Sequence, residues 1–179
     1  WDVSSVEDMG GMFQFDNPNN VFNGDFSGWI VGSVTNMANM FNGARKFNQD
    51  LSSWDVSSVE NMGSMFYNAM VFNGSISTWD VSSVTNMTTM FYNARVFNQD
   101  LNSWDVSKVE NMNLMFADAQ SFNGDISGWV VSSVTTMNAM FNRAYQFNQD
   151  LNNWQVHSVT DTRLMFDDTY HFNGNIVNW

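Results

Sequence analysis

The side chains in this sequence with a capacity for chemistry are carboxylates and carboxamides, and they recur at a fixed interval. Asp25, Asp50, Asp100, Asp125 and Asp150 share one position of a 25-residue period, and Asp55, Asp80 and Asp105 share another. Asn23, Asn48, Asn73, Asn98, Asn123, Asn148 and Asn173 fill a third without exception. Oxygen ligands of this kind suit calcium, and paired carboxylates suit general acid and base work in hydrolysis. Hydrolysis needs one opposed pair in two different environments, whereas these acids repeat in equivalent places. Histidine occurs only at His157 and His171, cysteine is absent, and no G-x-S-x-G, H-E-x-x-H or glycine-rich phosphate loop is present. His157 takes the position held by Ser57, Ser82, Ser107 and Ser132, which reads as a turn or cap residue rather than a general base. The chain therefore reads as non-catalytic, with no disulfide or thiolate metal site and no cofactor unless it is calcium.

Each column has a structural and a functional reading. The first Asp column either accepts backbone N–H bonds in a turn or bridges calcium between coils. Like charges stacked at strand spacing repel, so solvent, turn amides or a cation must compensate them. The Asn column reads as a structural ladder whose side chains satisfy turn amides and carbonyls of adjacent coils. The second Asp column follows a tryptophan and points away from the core. Together with Ile30, Val130 and Gln155 at the same position, Asp55, Asp80 and Asp105 form the candidate ligand-binding face. Acidic in the middle and apolar at Ile30 and Val130, that face suits a basic, extended protein segment.

The elements that position these columns follow from the tryptophans. Trp29, Trp54, Trp79, Trp104, Trp129, Trp154 and Trp179 are 25 residues apart, and Trp1 precedes Trp29 by 28. A period of this length is the signature of stacked repeats that bury their apolar faces against one another. Leu51, Trp54, Val56 and Val59 alternate as a short half-buried strand does. Val59, Met62, Met65, Phe66 and Ala69 follow at spacings of three, three, one and three, which predicts a short helix opened by Ser57 and Glu60 as a capping box. The expected fold is an α/β solenoid of about seven coils forming one domain over residues 1–179. Strands about 4.8 Å apart and helices about 8–10 Å apart would bend it, with short parallel strands on the concave side and short helices outside.

Two irregularities modulate the period. The residue after each column Asn alternates Gly24, Gln49, Gly74, Gln99, Gly124, Gln149, Gly174, which makes the larger unit 50 residues. Residues Asp16 to Asn20 add three positions and the single proline, Pro18, predicting a small loop. Because both termini run onto tryptophan, a piece of a longer array is expected.

Formal charge is −12, from 18 acidic and 6 basic residues, and a phosphate-backbone ligand needs the opposite sign. Nucleic acid is excluded. No apolar run is long enough for a transmembrane helix, so direct membrane insertion is not expected.

The string MFYNARVFNQDLNSWDVSKVENMNLMF, residues 90 to 116, resembles the BspA-like leucine-rich-repeat surface proteins, a bacterial and mycoplasma-type family of 25-residue repeats, and the likeness covers the whole chain. The resemblance implies a right-handed leucine-rich-repeat-type solenoid, secreted or displayed at a cell surface. It also implies adhesion to an extracellular or host-surface protein, and brings no catalytic motif. Two alternatives stand beside this reading: a structural spacer that projects another domain, and a calcium-stabilised ligand-binding repeat domain.

Overall fold

The computed structural model describes residues 2–179; Trp1, first of the tryptophan series, lies outside the described residues. The chain forms a stack of 25-residue rungs, beginning at residues 29, 54, 79, 104, 129 and 154, with residues 2–28 leading into it. Among the described residues there is no helix and no extended strand. Regular pairing is limited to six isolated parallel bridges, running Asp8, Asn36, Asn61, Asn86, Asn111, Thr136, Asp161. The expected α/β solenoid of strands and helices, and with it the leucine-rich-repeat resemblance, is overturned by this backbone.

The spacing of three has a different physical origin from a helix. In the rung that starts at Trp54, the Leu51, Val56, Met62, Phe66 and Ala69 carbonyls accept the amides of Trp54, Val59, Met65, Ala69 and Phe72 at 2.9 to 3.2 Å. Each is a β-turn that starts and ends on a residue pointing into the core, with two more exposed residues between. A helix is interrupted twice per rung by left-handed residues, Ser64 (φ 57°) and Asn68 (φ 57°) here, with counterparts at Thr89 and Asn93, Leu114 and Asp118, and Ala139 and Arg143. These sit third in the turns Met62–Met65 and Phe66–Ala69, where type II geometry requires positive φ. The expected capping box forms no helix start; the Ser57 hydroxyl donates to Asp55 Oδ1 at 2.6 Å.

Backbone bonding between rungs also falls where a helix was expected. The amide of Glu60 donates to Thr35 O of the preceding rung, and those of Met62, Ser64, Phe66 and Asn68 donate to Asn86, Thr88, Met90 and Tyr92 of the next, at 2.8 to 3.1 Å. Alternate amides thus bond across rungs while those of Met65, Tyr67 and Ala69 close turns within one. No backbone bond crosses rungs from residues 54–59 or their copies among the described residues. The Trp-x-Val segment is not a strand because it is the junction of two turns.

The core is a column of rings. Phe66 and Phe72 stack within a rung at 3.9 Å, as do Phe91 with Phe97 and Phe116 with Phe122 at 4.0 and 3.9 Å. Equivalent rings of successive rungs lie 5.5 to 5.8 Å apart in the Phe66 tier. In the Trp tier the spacing is 6.0 to 6.5 Å, against 4.7 Å for Tyr67 and Tyr92 beside the backbone ladder.

The 50-residue alternation is a matter of clearance. A Cβ on Gly74, Gly124 or Gly174 would stand 1.9 to 2.0 Å from the carbonyl oxygen of Gln49, Gln99 or Gln149. In the other step the glutamine reaches back, Gln99 Nε2 donating to Asn73 O at 3.0 Å and Gln149 Nε2 to Asn123 O at 2.7 Å. The insertion at residues 16–20 forms a turn pinned to the next rung by Asn20 Nδ2 on Gly43 O.

Candidate protein-binding face

Three carboxylate and carboxamide columns take the same local form. Asp50 Oδ1 accepts the Ser52 amide, Asp55 Oδ1 accepts Ser57, and Asn61 Oδ1 accepts Gly63, at 2.9 to 3.1 Å. Each is an Asx turn, in which a short side chain replaces a backbone acceptor two residues on. Asp25, Asp100, Asp125 and Asp150 repeat the first at 2.9 Å, and Asp80 and Asp105 repeat the second at 3.0 Å. The third column, through Asp8, Asn36, Asn86, Asn111 and Asp161, is an addition to those read from sequence; its signal is the N-M dipeptide at Asn36, Asn61, Asn86 and Asn111, each after Glu or Thr.

These bonds set the ionisation of the acids. The Ser57 hydroxyl, then its amide, hold the Asp55 carboxyl below the usual range, and Ser107 does the same to Asp105. For Asp25 and Asp50 the leading cause is the backbone amide of Ser27 and Ser52. Among the described residues no three His, Cys, Asp or Glu side chains converge as metal ligands. Asp25, Asp50, Asp100, Asp125 and Asp150 stand one to a rung, each with an oxygen engaged by its turn.

The Asn column runs the length of the stack. Asn23 Oδ1 accepts the amide of Asn48, and Asn48, Asn73, Asn98, Asn123 and Asn148 accept those of Asn73, Asn98, Asn123, Asn148 and Asn173, at 2.6 to 2.9 Å. These asparagines are exposed, so the ladder is laid on the surface rather than within the core.

Ile30, Asp55, Asp80, Asp105, Val130 and Gln155 all lie exposed on the Trp face, Ile30 at 69% and Val130 at 55%. Beneath them Trp54, Trp79, Trp104, Trp129 and Trp154 are buried, each indole N–H donating to a carbonyl of the preceding rung, as Trp79 Nε1 to Leu51 O at 2.9 Å. The indole faces are covered by one another, which leaves none open to stack on a sugar.

This face carries a cleft of about 810 Å³ between rungs, lined by Ser77, Thr78, Trp79, Asp80, Asp100, Asn102, Ser103 and Asp105. It brings Asp80 and Asp105 together with Asp100 of the other column, and leaves Asp55, Ile30 and Val130 outside. Gln155 lines a second opening of about 430 Å³ with Asn152, Asn153 and His157. In the first cleft the Ser103 hydroxyl donates to Ser77 O at 2.6 Å and Asn102 Oδ1 accepts the Gly128 amide at 2.7 Å. Sequence reasoning had not grouped Ser77, Asn102 and Asp100 with Asp80, because they precede the next tryptophan and meet it only when rungs stack.

The two ion pairs among the described residues, Arg143 with Asp118 at 3.6 Å and Arg163 with Asp161 at 2.8 Å, lie off this face. Lys108 is the one cation whose charge reaches Asp105 as a cause of its lowered pKa. Oriented carboxylates beside hydroxyls and amides equip it to receive cationic side chains.

The family model described as "Mycoplasma protein of unknown function, DUF285" matches residues 1–103 and 73–179, and no curated protein matches the chain. The two matches together span the chain, which belongs to this family.

Proposed function

We propose that this member of the Mycoplasma DUF285 family is a non-catalytic protein-binding module, acting at a cell surface or after secretion, whose Trp face takes a basic, extended segment of another protein. The observation that carries the reading is the cleft between rungs at Asp80, Asp100 and Asp105. Its carboxylates are exposed, fixed in direction by Asx turns and unmatched by a cation in either ion pair. Rigidly held acceptors lose little freedom when a lysine or arginine arrives, which favours affinity over a mobile acidic surface. The repeated Asp55, Asp80 and Asp105 extend the same charge along the stack, and charge of one sign on one face speeds the approach of an oppositely charged partner.

The test is a binding screen against extracellular matrix proteins and a lysine-rich peptide, with the triple variant Asp55→Lys, Asp80→Lys, Asp105→Lys as control. The expected result is a loss of about tenfold or more in affinity, steeper at low salt. Equal binding by wild type and variant would remove the Trp face from the reading and leave a spacer that projects another domain. Protease treatment of intact cells reads the location directly: loss of the protein without lysis is the expected outcome.

A further inference from the structure

A second surface differs from the Trp face in charge and in its relation to the repeat. Residues 42–46, 67–71 and 92–96 form the corner loops of three consecutive rungs, each closed at its base by a stacked Phe pair, such as Phe66 with Phe72 at 3.9 Å. The inward residues of these corners are constant, Ala44, Ala69 and Ala94, all fully buried. Their outward residues vary at three positions: Asn42 against Tyr67 and Tyr92, Met70 against Arg45 and Arg95, and Lys46 against Val71 and Val96. A scaffold role asks for the same side chain at each rung, as the Asn column has. Variation confined to outward positions of a fixed frame is what a recognition surface carries.

The chemistry is also distinct. The three loops hold Arg45, Lys46 and Arg95 and no carboxylate, in a chain whose formal charge is −12. Of the acids in the two adjoining corners, Asp16 and Asp118, the second already faces Arg143 at 3.6 Å. Tyr67 and Tyr92 stack at 4.7 Å and 8°, with ring planes across the axis of the stack, so each hides one face against the other. Burial, then the charge of Asp118, raise the Tyr92 phenol above its usual value and keep it a neutral hydroxyl donor at physiological pH. Asn93 Nδ2 donates to Asn68 Oδ1 at 2.6 Å, and Arg95 Nε donates to Asn93 Oδ1 at 2.8 Å, which sets the direction of the guanidinium. Val96 beside it is 42% exposed. Tyrosine and arginine are the residue types that dominate binding energy in protein interfaces, and a held guanidinium fork matches a carboxylate.

We propose that the corner at residues 42–46, 67–71 and 92–96 is a docking surface for an acidic, extended protein segment, independent of the Trp face. Arg45 and Arg95 are two rungs apart, about 10 Å at the strand spacing of a backbone ladder, and carboxylates three residues apart in an extended polyproline II segment lie on one face about 9 Å apart. The partner is thus a segment with acidic side chains at that interval and an apolar residue between them to meet Met70 and Val96.

The probe is a fluorescein-labelled peptide of repeated Glu-Leu-Ser units, titrated with the protein by anisotropy at 20 mM and 150 mM salt. Wild type is expected to bind with an affinity that falls as salt rises, and Arg45→Glu with Arg95→Glu to weaken it at least about tenfold. The milder Arg45→Gln with Arg95→Gln, with tryptophan emission as the check of folding, should give an intermediate loss. The Asp55, Asp80, Asp105 triple lysine variant should bind the acidic peptide no more weakly than wild type, which separates this surface from the Trp face. No binding by wild type, or equal binding by both arginine double variants, would overturn the proposal.

Discussion

One side of each rung is joined to its neighbours by backbone, and the other by side chains. Over residues 60–68 alternate amides donate directly to a neighbouring rung, Glu60 to the one before and Met62 to Asn68 to the one after, so the ladder is indifferent to which side chains project from it. At residues 51–54 and their copies the neighbours are joined by the indole N–H, as Trp79 Nε1 on Leu51 O, and by hydroxyls such as Ser103 on Ser77 O. The difference explains where sequence is free. The ladder tolerates Ser, Thr, Leu and Ala at the left-handed position of the Met62–Met65 turn and its copies, even at positive φ, whereas the indole side keeps Trp in every rung.

The largest effect that would break this contrast is loss of a ladder donor. Glu110 is exposed, its amide bonds to Thr85 O at 2.9 Å, and Glu110→Pro removes that bond and constrains Val109. Destabilisation of about 3 kcal/mol is expected, with faster amide exchange in the rungs on both sides. A loss under half of that, measured by urea unfolding, would show that the aromatic column alone holds the rungs together.

A smaller effect is expected on the indole side. Trp104→Phe removes the Nε1 bond to Ile76 O at 3.1 Å, but that carbonyl also takes the Trp79 amide. The cost is about 2 kcal/mol, including the ring volume lost. Exchange at Met87, Thr89 and Phe91 on the ladder should stay near wild type; a rise there equal to that in Glu110→Pro would erase the distinction between the two sides.

The smallest effect is electrostatic and belongs chiefly to the Trp face. Asp55 and Asp105 ionise more readily folded than unfolded, because serine hydroxyls and amides bind the carboxylate. Their contribution is complete above the unfolded value near 4 and is lost as pH falls through the lower folded value. The melting temperature should therefore be level from about pH 7 to 5 and drop below about pH 4. Asp55→Asn with Asp105→Asn keeps the turn acceptor without titrating and should flatten that drop. An unchanged acid limb would place the effect in Asp25, Asp50 or Asp161 instead.

Much of the packing was legible from the sequence and most of the backbone was not. The inward residues at Leu51, Trp54, Val56, Val59, Met62, Met65, Phe66, Ala69 and Phe72 follow from repetition alone, since a residue invariant in every coil has the same neighbours in every coil. Their conformation does not follow, because a spacing of three is shared by one helical turn and by a β-turn that begins and ends in the core. What separates the two is the sign of φ at Ser64 and Asn68. Asn68 signals it by residue type, but Ser64 and its copies Thr89 and Leu114 do not, as these residues are rarely left-handed. Asp80 and Asp105 could be placed on a common outer face from their period, yet the cleft with Asp100 arises only from the offset between a turn and the next rung's tryptophan.

The alternation of Gly and Gln after the column asparagine constrains how such a chain can change length. Gly74 passes so close to Gln49 O that no side chain fits, and Gln99 fills its own step by reaching Asn73. Excising 25 residues would set two glutamines, or two glycines, on adjoining floors, with a collision in the first case and a missing tether in the second. Removing 50 restores the original partners. Lineages of this architecture should shorten and lengthen by even numbers of floors.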